Sequence, residues 1–269
     1  NVSHAKLREL VYEDTSLIRR RLLHRRIAQA LQRPGAGQVQ RGEIGRRASH
    51  LRLAGQDAEA ARAYVEAGDA DGKLYANAEA LEHYAAALAL GYEDVSLLHE
   101  RIGDVQLRIG SYEDALASYE KAVAVGKPRR TGVLEGKLGN LHHRLGAWTL
   151  AERHYAAAEP HLASRDPVSG PSEFARLIGA WSLTAHRQGD QQRARQLGER
   201  AFQLACVSPA SAASCNARSP SCLALLEHAQ QHHDVAIALA EEALALASAQ
   251  GDRHHQAALH SNLADFLHA

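Results

Sequence analysis

The sequence predicts an all-α fold of stacked helical hairpins. Three observations carry that prediction: one spacing pattern recurs along the chain, Ala and Leu are abundant while aromatics make up 5% of residues, and strand-like alternation is absent. The pattern is clearest in RIGDVQLRIGSYEDALASYEKAVAVGKP, Arg101 to Pro128, and in KLGNLHHRLGAWTLAERHYAAAEP, Lys137 to Pro160. In each, Gly103 or Gly139 is followed seven residues on by Gly110 or Gly146, then by Ala115 or Ala151, Tyr119 or Tyr155, and Ala122 or Ala158. Self-similarity at a fixed period marks a repeat architecture.

The chain opens on Asn1, not on Met, so it is expected to be a segment of a longer protein. Residues Ser3 to Gln32 read as a helical hairpin. Leu7, Leu10 and Val11, then Ile18, Leu22, Leu23, Ile27 and Leu31, fall at helical spacing, with Ser16 as N-cap between the two helices. Arg19, Arg20, Arg21, Arg25 and Arg26 are expected on the open face of the second helix. This gives a helical linker over residues 1–40, with the repeats over 41–269.

The repeats register on Ala60, Ala80, Ala115, Ala151, Ala194 and Ala236, each seven residues before another Ala. Successive intervals are 20, 35, 36, 43 and 42 residues. Tyr64, Tyr84, Tyr119 and Tyr155 follow the first Ala by four, and Gly55, Gly110, Gly146 and Gly189 precede it by five. Such glycines suit the left-handed residue that closes a helix. Gly103 and Gly139 fall mid-helix, where Gly costs about 1 kcal/mol against Ala, so a close helix contact must require them. The short interval before Ala80 predicts a shortened first helix in the second unit. Units five and six follow Pro- and Ser-containing connections, and Gly251 to Ala269 reads as the first helix of a seventh unit. With no second helix after it, its apolar face near Leu259, Leu263 and Phe266 is expected to be uncovered.

These residues resemble the tetratricopeptide repeat. The resemblance implies a right-handed superhelix, an α-α solenoid of about six to seven helical hairpins, preceded by the linker. The wording of residues 3–32, with SHAKLREL followed by RRRLLHRRIAQAL, resembles the segment after the nucleotide-binding and winged-helix portion of bacterial STAND-type regulators. That group includes maltose-activator-like, LuxR-tailed and antibiotic-pathway regulators. The likeness implies a sensor arm in transcription regulation or signal transduction, with the upstream ATPase domain as one partner.

Composition and motifs exclude several functions. Lys+Arg and Asp+Glu balance at 31 each, so no net field draws nucleic acid or a membrane, and neither is expected as a direct partner. No apolar run approaches the ~20 residues of a membrane helix, and no signal peptide opens the chain. A cytoplasmic location is expected, with Cys206, Cys215 and Cys222 as reduced thiols. A phosphate loop needs Gly, four residues, then Gly-Lys-Ser/Thr. GDADGKL, Gly68 to Leu74, has the wrong spacing and reads as an interhelix turn; GAG at Gly35 to Gly37 reads as a loop. No catalytic residue, cofactor or metal is expected. The pairs His142–His143, His232–His233 and His254–His255 cannot easily chelate one ion, because adjacent helical residues diverge.

The repeat frame does single out positions on the inner face of the first helices. Four and five residues after the small residue stand His143 with Arg144, and His186 with Arg187; Arg108, His228 and His268 occupy the corresponding positions elsewhere. Asn140, one residue after Gly139, also faces inward and resembles the Asn of the carboxylate clamp in chaperone-binding relatives. A column of imidazole and guanidinium suits an acidic peptide, a carboxylate or a phosphorylated effector in the concave groove. The expected function is non-catalytic binding of a protein, peptide or small effector. The alternative to a regulator's arm is a free-standing scaffold or chaperone adaptor that binds acidic peptides.

Overall fold

The computed structural model describes residue 6 and residues 11–32, 42–163, 171–206, 218–229, 231–249 and 253–268. Among the described residues every regular element is a helix. The chain divides into two compact units, Asn1–Gly126 and Lys127–Ala269. The first holds α1 (Leu17–Gln32), α2 (Glu43–Leu53), α3 (Asp57–Lys73), α4 (Asn77–Ala89), α5 (Val95–Ile109) and α6 (Tyr112–Ala124). The second holds α7 (Pro128–Arg144), α8 (Trp148–Ala163), α9 (Pro171–Arg187), α10 (Gln191–Cys206), α11 (Arg218–Ala229), α12 (His233–Ala249) and α13 (Arg253–His268). Within each unit, helices adjacent in sequence pack as antiparallel hairpins.

Six hairpin turns share one backbone solution. The residue five before each registering Ala is left-handed: φ is 76° at Gly55, 83° at Gly110, 74° at Gly146 and 86° at Gly189, and also 59° at Tyr75 and 64° at Gln231. The next N–H then reaches back five residues: Gln56 to Leu51 O, Ala76 to Asp71 O, Ser111 to Gln106 O, Ala147 to His142 O, Asp190 to Ala185 O and His232 to Glu227 O, all at 2.9–3.0 Å. This is the helix-closing arrangement that a left-handed residue permits. The carbonyl of the same residue accepts from the registering Ala four positions later, opening the second helix. Tyr75 and Gln231 hold the conformation without the freedom of Gly, at roughly 1–2 kcal/mol each.

The hairpin contact is a size exchange. Ala60, Ala80, Ala115, Ala151, Ala194 and Ala236 are wholly buried, which lets the helices approach closely. In three repeats a tyrosine ring of the second helix lies on a glycine of the first. A Cβ on Gly68, Gly103 or Gly139 would stand 2.6, 2.6 and 2.5 Å from the rings of Tyr84, Tyr119 and Tyr155. Each hydroxyl then donates to the residue after that glycine: Asp69 at 2.7 Å, Asp104 at 2.9 Å and Asn140 at 3.0 Å. In the first repeat Tyr64 pairs with Ser49 at 3.1 Å, and Ala48 holds the small position.

Several sequence expectations change. The second repeat has no first helix of its own: α3 carries Ala60, Tyr64 and Ala67 toward α2, then Gly68 and Asp69 toward α4. Hence GDADGK forms the last turns of a 17-residue helix, with Leu74 as its C-cap, and the turn comes only after it. An interval of 20 residues is too short for two more helices, so one serves twice. The GAG at 35–37 lies outside the described residues. In α1 the expected apolar face is not the buried one. His24 and Ala28 are buried, while Ile18, Leu22, Leu23 and Ile27 are 75, 52, 47 and 41% exposed. The last helix, α13, covers its own apolar face better than expected. Leu259 packs on Ala243 and Ala247, and Phe266 on Ala224, Ala236 and Ala240, leaving Leu267 exposed.

In an exposed helix Gly→Ala stabilises by about 1 kcal/mol. Gly139→Ala should instead lower stability by about 1–3 kcal/mol, because the wholly buried Tyr155 ring has nowhere to retreat. A urea midpoint at or above that of the parent protein would refute the size exchange. Conversely, Gln231→Gly removes left-handed strain at an exposed turn and should raise stability by up to about 1 kcal/mol in the same assay.

Candidate partner-binding surfaces

In the first unit, the carboxyl-terminal turns of α3 and the matching part of α5 enclose an open cavity of about 240 Å³. Its lining includes Asp69, Lys73, Tyr84, Arg101, Asp104 and Arg108. Helical spacing explains the set, since Arg101, Asp104, Val105 and Arg108 share one face of α5. Both carboxylates are engaged from behind by tyrosine hydroxyls. Arg101 Nε lies 3.5 Å from Asp69 Oδ1. Arg108 Nη1 donates to Gly72 O at 2.6 Å, and its guanidinium lies 5.6 Å from the centroid of the Tyr75 ring. Burial, then the hydrogen bond and charge of Asp69, push the Tyr84 hydroxyl's pKa well up, so Tyr84 stays a neutral donor. Of this group the repeat frame singled out only Arg108. Asp104 follows the repeat glycine Gly103 as Asn140 follows Gly139, so the frame could have found it; Asp69 was hidden by reading Gly68 to Leu74 as a turn.

In the second unit, the column breaks into distinct roles. Asn140 is half-buried and accepts from Tyr155, so at least one of its lone pairs serves the hairpin. His143 is bound across the layers, its Nδ1 2.8 Å from Thr184 Oγ1 on α9. Burial lowers its pKa first, and the guanidiniums of Arg187 and Arg144 lower it further. Those two guanidiniums, both exposed, therefore flank an imidazole that stays neutral. His186 pairs locally, 3.0 Å from Gln191 Oε1. His228 stacks on Phe266 of α13 at 4.5 Å between centroids, with His233 Nδ1 at 3.3 Å. His268 is exposed near the chain's end.

Thus His143 and His228 each reach the residue two positions before the next histidine of the column, Thr184 or Phe266. They join successive first helices, and the arginines are left facing outward. The histidine pairs diverge: His142 stacks on His154 of α8, opposite to the course of His143, and His232 binds Glu227 while His233 turns to His228. Among the described residues no group of three or more His, Cys, Asp or Glu side chains is placed to hold a metal ion. The side chains of the three cysteines and of His254 and His255 lie outside the described residues.

No protein-family model matches the chain, and no curated protein sequence does. Solved structures do. A chain of the APC/C hetero-tetramer Cut9–Hcn1 superposes with a TM-score of 0.58 at 14% identity, covering 92% of this chain and 46% of that one. BtubC (BKLC) from P. vanneervenii gives 0.59 at 17% identity, covering 88% of this chain and 93% of its own. The pilF protein of Pseudomonas aeruginosa gives 0.53 at 17%, covering 76% and 90%. The chain spans less than half of the Cut9–Hcn1 chain's length. With the hairpin geometry above, these likenesses define the class: a helical-hairpin repeat fold of the tetratricopeptide type. Among the described residues no helix is long and apolar enough to cross a membrane.

His50 and His143 both have lowered pKa values, chiefly from burial, with His24 and Arg46 adding to the shift at His50. The folded state disfavours their protonation, so their contribution to stability is complete above the ordinary histidine pKa of about 6.5. It is lost as pH falls from there through the depressed values. Thermal melts at pH 7.5, 6.0 and 5.0 should therefore show a falling midpoint, and His143→Gln should make the decline shallower. An unchanged slope in that variant would remove His143 from the linkage.

Proposed function

We propose that the chain is a non-catalytic binding module whose first helices present guanidinium groups to an acidic protein or peptide. The observation that carries this reading is the patch of Arg144, Arg187 and His143. Arg144 adjoins His143 and Arg187 lies one helical turn after the Thr184 that His143 binds at 2.8 Å, so both exposed guanidiniums belong to one neighbourhood, and the carboxamide of Asn140 already serves the hairpin lock. Guanidinium forks bind carboxylate and phosphate through two parallel hydrogen bonds, and such a patch accepts either group. Arg101 and Arg108 offer a similar but more self-compensated surface in the first unit.

The module fits a role as the sensor arm of a bacterial STAND-type transcription regulator or signalling ATPase, a reading that rests on the wording of residues 3–32. On that reading a ligand or partner acts by binding two arrangements of the full protein unequally, and so shifts their populations. The upstream ATPase domain is then the second partner. A free-standing scaffold or adaptor is the other reading. It is favoured by the 93% and 90% coverage of BtubC and pilF, proteins whose matched chains are almost wholly this repeat fold. A Walker motif and winged helix encoded just upstream of Asn1 would decide for the regulator, and a start codon there for the scaffold.

Titration with a fluorescent peptide ending in consecutive Glu and Asp residues tests the binding itself. Arg144→Glu with Arg187→Glu should weaken binding by roughly tenfold or more while leaving helicity unchanged, since truncating or reversing interface charges acts on affinity and on-rate. Unaltered affinity would retire the patch as a binding surface.

A further inference from the structure

The outward side of α1 combines charge and apolar side chains in an order that the repeats do not use. Its sequence, LIRRRLLHRRIAQALQ, holds five arginines and no acid in a chain of zero net charge. The helix seats itself on α2 through His24 and Ala28, with His24 Nδ1 2.9 Å from His50 Nδ1. At 100° per residue, Arg19 and Arg26 then fall on the far side from that seat, two turns and about 10 Å apart along the axis. Both are exposed, and neither makes an ion pair among the described residues. Ile18 and Leu22 form an exposed row on one flank, and Leu23 and Ile27 form another on the opposite flank.

That order decides the class of partner. A helix that lies in a bilayer gathers its apolar residues on one face and its cations on the other. In α1 the guanidiniums run between two apolar rows, so insertion of both rows would drag Arg19 and Arg26 into the hydrocarbon. A nucleic acid backbone would neutralise the guanidiniums and leave the leucines wet. An amphipathic helix with carboxylates along its centre and leucines beside them satisfies both features. Desolvated Arg within an apolar surround is also the composition of energetic centres at protein interfaces. We infer that α1 docks an acidic amphipathic helix of a partner protein, its carboxylates set between Ile18–Leu22 and Leu23–Ile27 to meet Arg19 and Arg26.

The test uses the full chain and a synthetic helical peptide with a central Glu stripe flanked by Leu, against a scrambled isomer of the same composition. Fluorescence anisotropy should show the ordered peptide binding roughly tenfold or more tightly than the scrambled one, with affinity falling as salt rises. Arg19→Glu with Arg26→Glu should abolish that preference, and Ile18→Gln with Leu22→Gln should weaken it independently. Arg144→Glu with Arg187→Glu should leave it intact, which separates this surface from the inner-face patch. Circular dichroism of each variant guards against loss of fold. Equal binding of the two peptides, or a preference that survives both α1 variants, would overturn the proposal. So would tighter association with phosphatidylserine vesicles than with the peptide, or a homodimer dispersed by the α1 variants in sedimentation with no peptide binding.

Discussion

Three of the hairpins depend on one contact: an aromatic ring of the second helix laid on a residue of the first that has no side chain. The exchange brings helix axes together closely enough for wholly buried Ala115, Ala122, Ala151 and Ala158 to complete the seam. The ring's hydroxyl would be an expensive group to bury without a partner. Placing an acceptor directly after the glycine solves this, as Asp69, Asp104 and Asn140 show. Glycine, acceptor and tyrosine thus act as one device. The left-handed turn sets its register, because one residue more or less between Gly139 and Tyr155 would rotate the ring off its seat.

The device fades along the chain, and the packing changes with it. In the fifth repeat the equivalent positions are Ser182 and Gly198, and in the sixth Ala224 and Ala240, so no ring is exchanged. Ser182 is wholly buried and donates to Ala194 O at 2.7 Å, satisfying its hydroxyl within the seam. The bulk moves to the first helix instead. Phe174, Ile178 and Trp181 of α9 fill the core with Leu162 and Ala201, and Trp181 lies 6.2 Å from the Tyr155 ring. Beyond that, the buried residues of α12 are Ala236, Ala240, Ala243 and Ala247, with Ile237, Leu239, Leu244 and Leu246 packed beside them.

This explains what could be read from the sequence. The all-α hairpin fold was legible because turns, small residues and rings keep fixed distances, and those distances survive even where the chemistry does not. Tyr75 and Gln231 occupy the left-handed position without being glycine, so a search for Gly would miss two of the six turns. The shared helix α3 was not legible as such, since a 20-residue interval states that something is shortened without saying which helix is spared. The α1 face misled because helical spacing alone does not say which of two apolar rows is buried. A seat made by the small Ala28 and a paired histidine outcompeted both. Positions of the candidate site could be enumerated from the repeat frame, but their partners could not. Whether His143 meets a ligand or Thr184 depends on layer-to-layer geometry, which no local spacing encodes.

The same bookkeeping of polar groups limits which side chains of the first helices are left to face outward. Asp69, Asp104 and Asn140 would be natural contacts for a peptide backbone, yet each accepts from a buried tyrosine and is held in one orientation by it. His143 and His228 are drawn into contacts between first helices. Groups that build the repeat are thereby taken away from recognition, and what remains outward is charge on long side chains: Arg144 and Arg187 in the second unit, and Arg19 and Arg26 on α1. Long-range attraction by such groups is tolerant of sequence and sensitive to salt. Selectivity must then come from what surrounds each pair. An imidazole held neutral lies beside Arg144 and Arg187, and two exposed apolar rows flank Arg19 and Arg26, so the two surfaces present the same cation in different company.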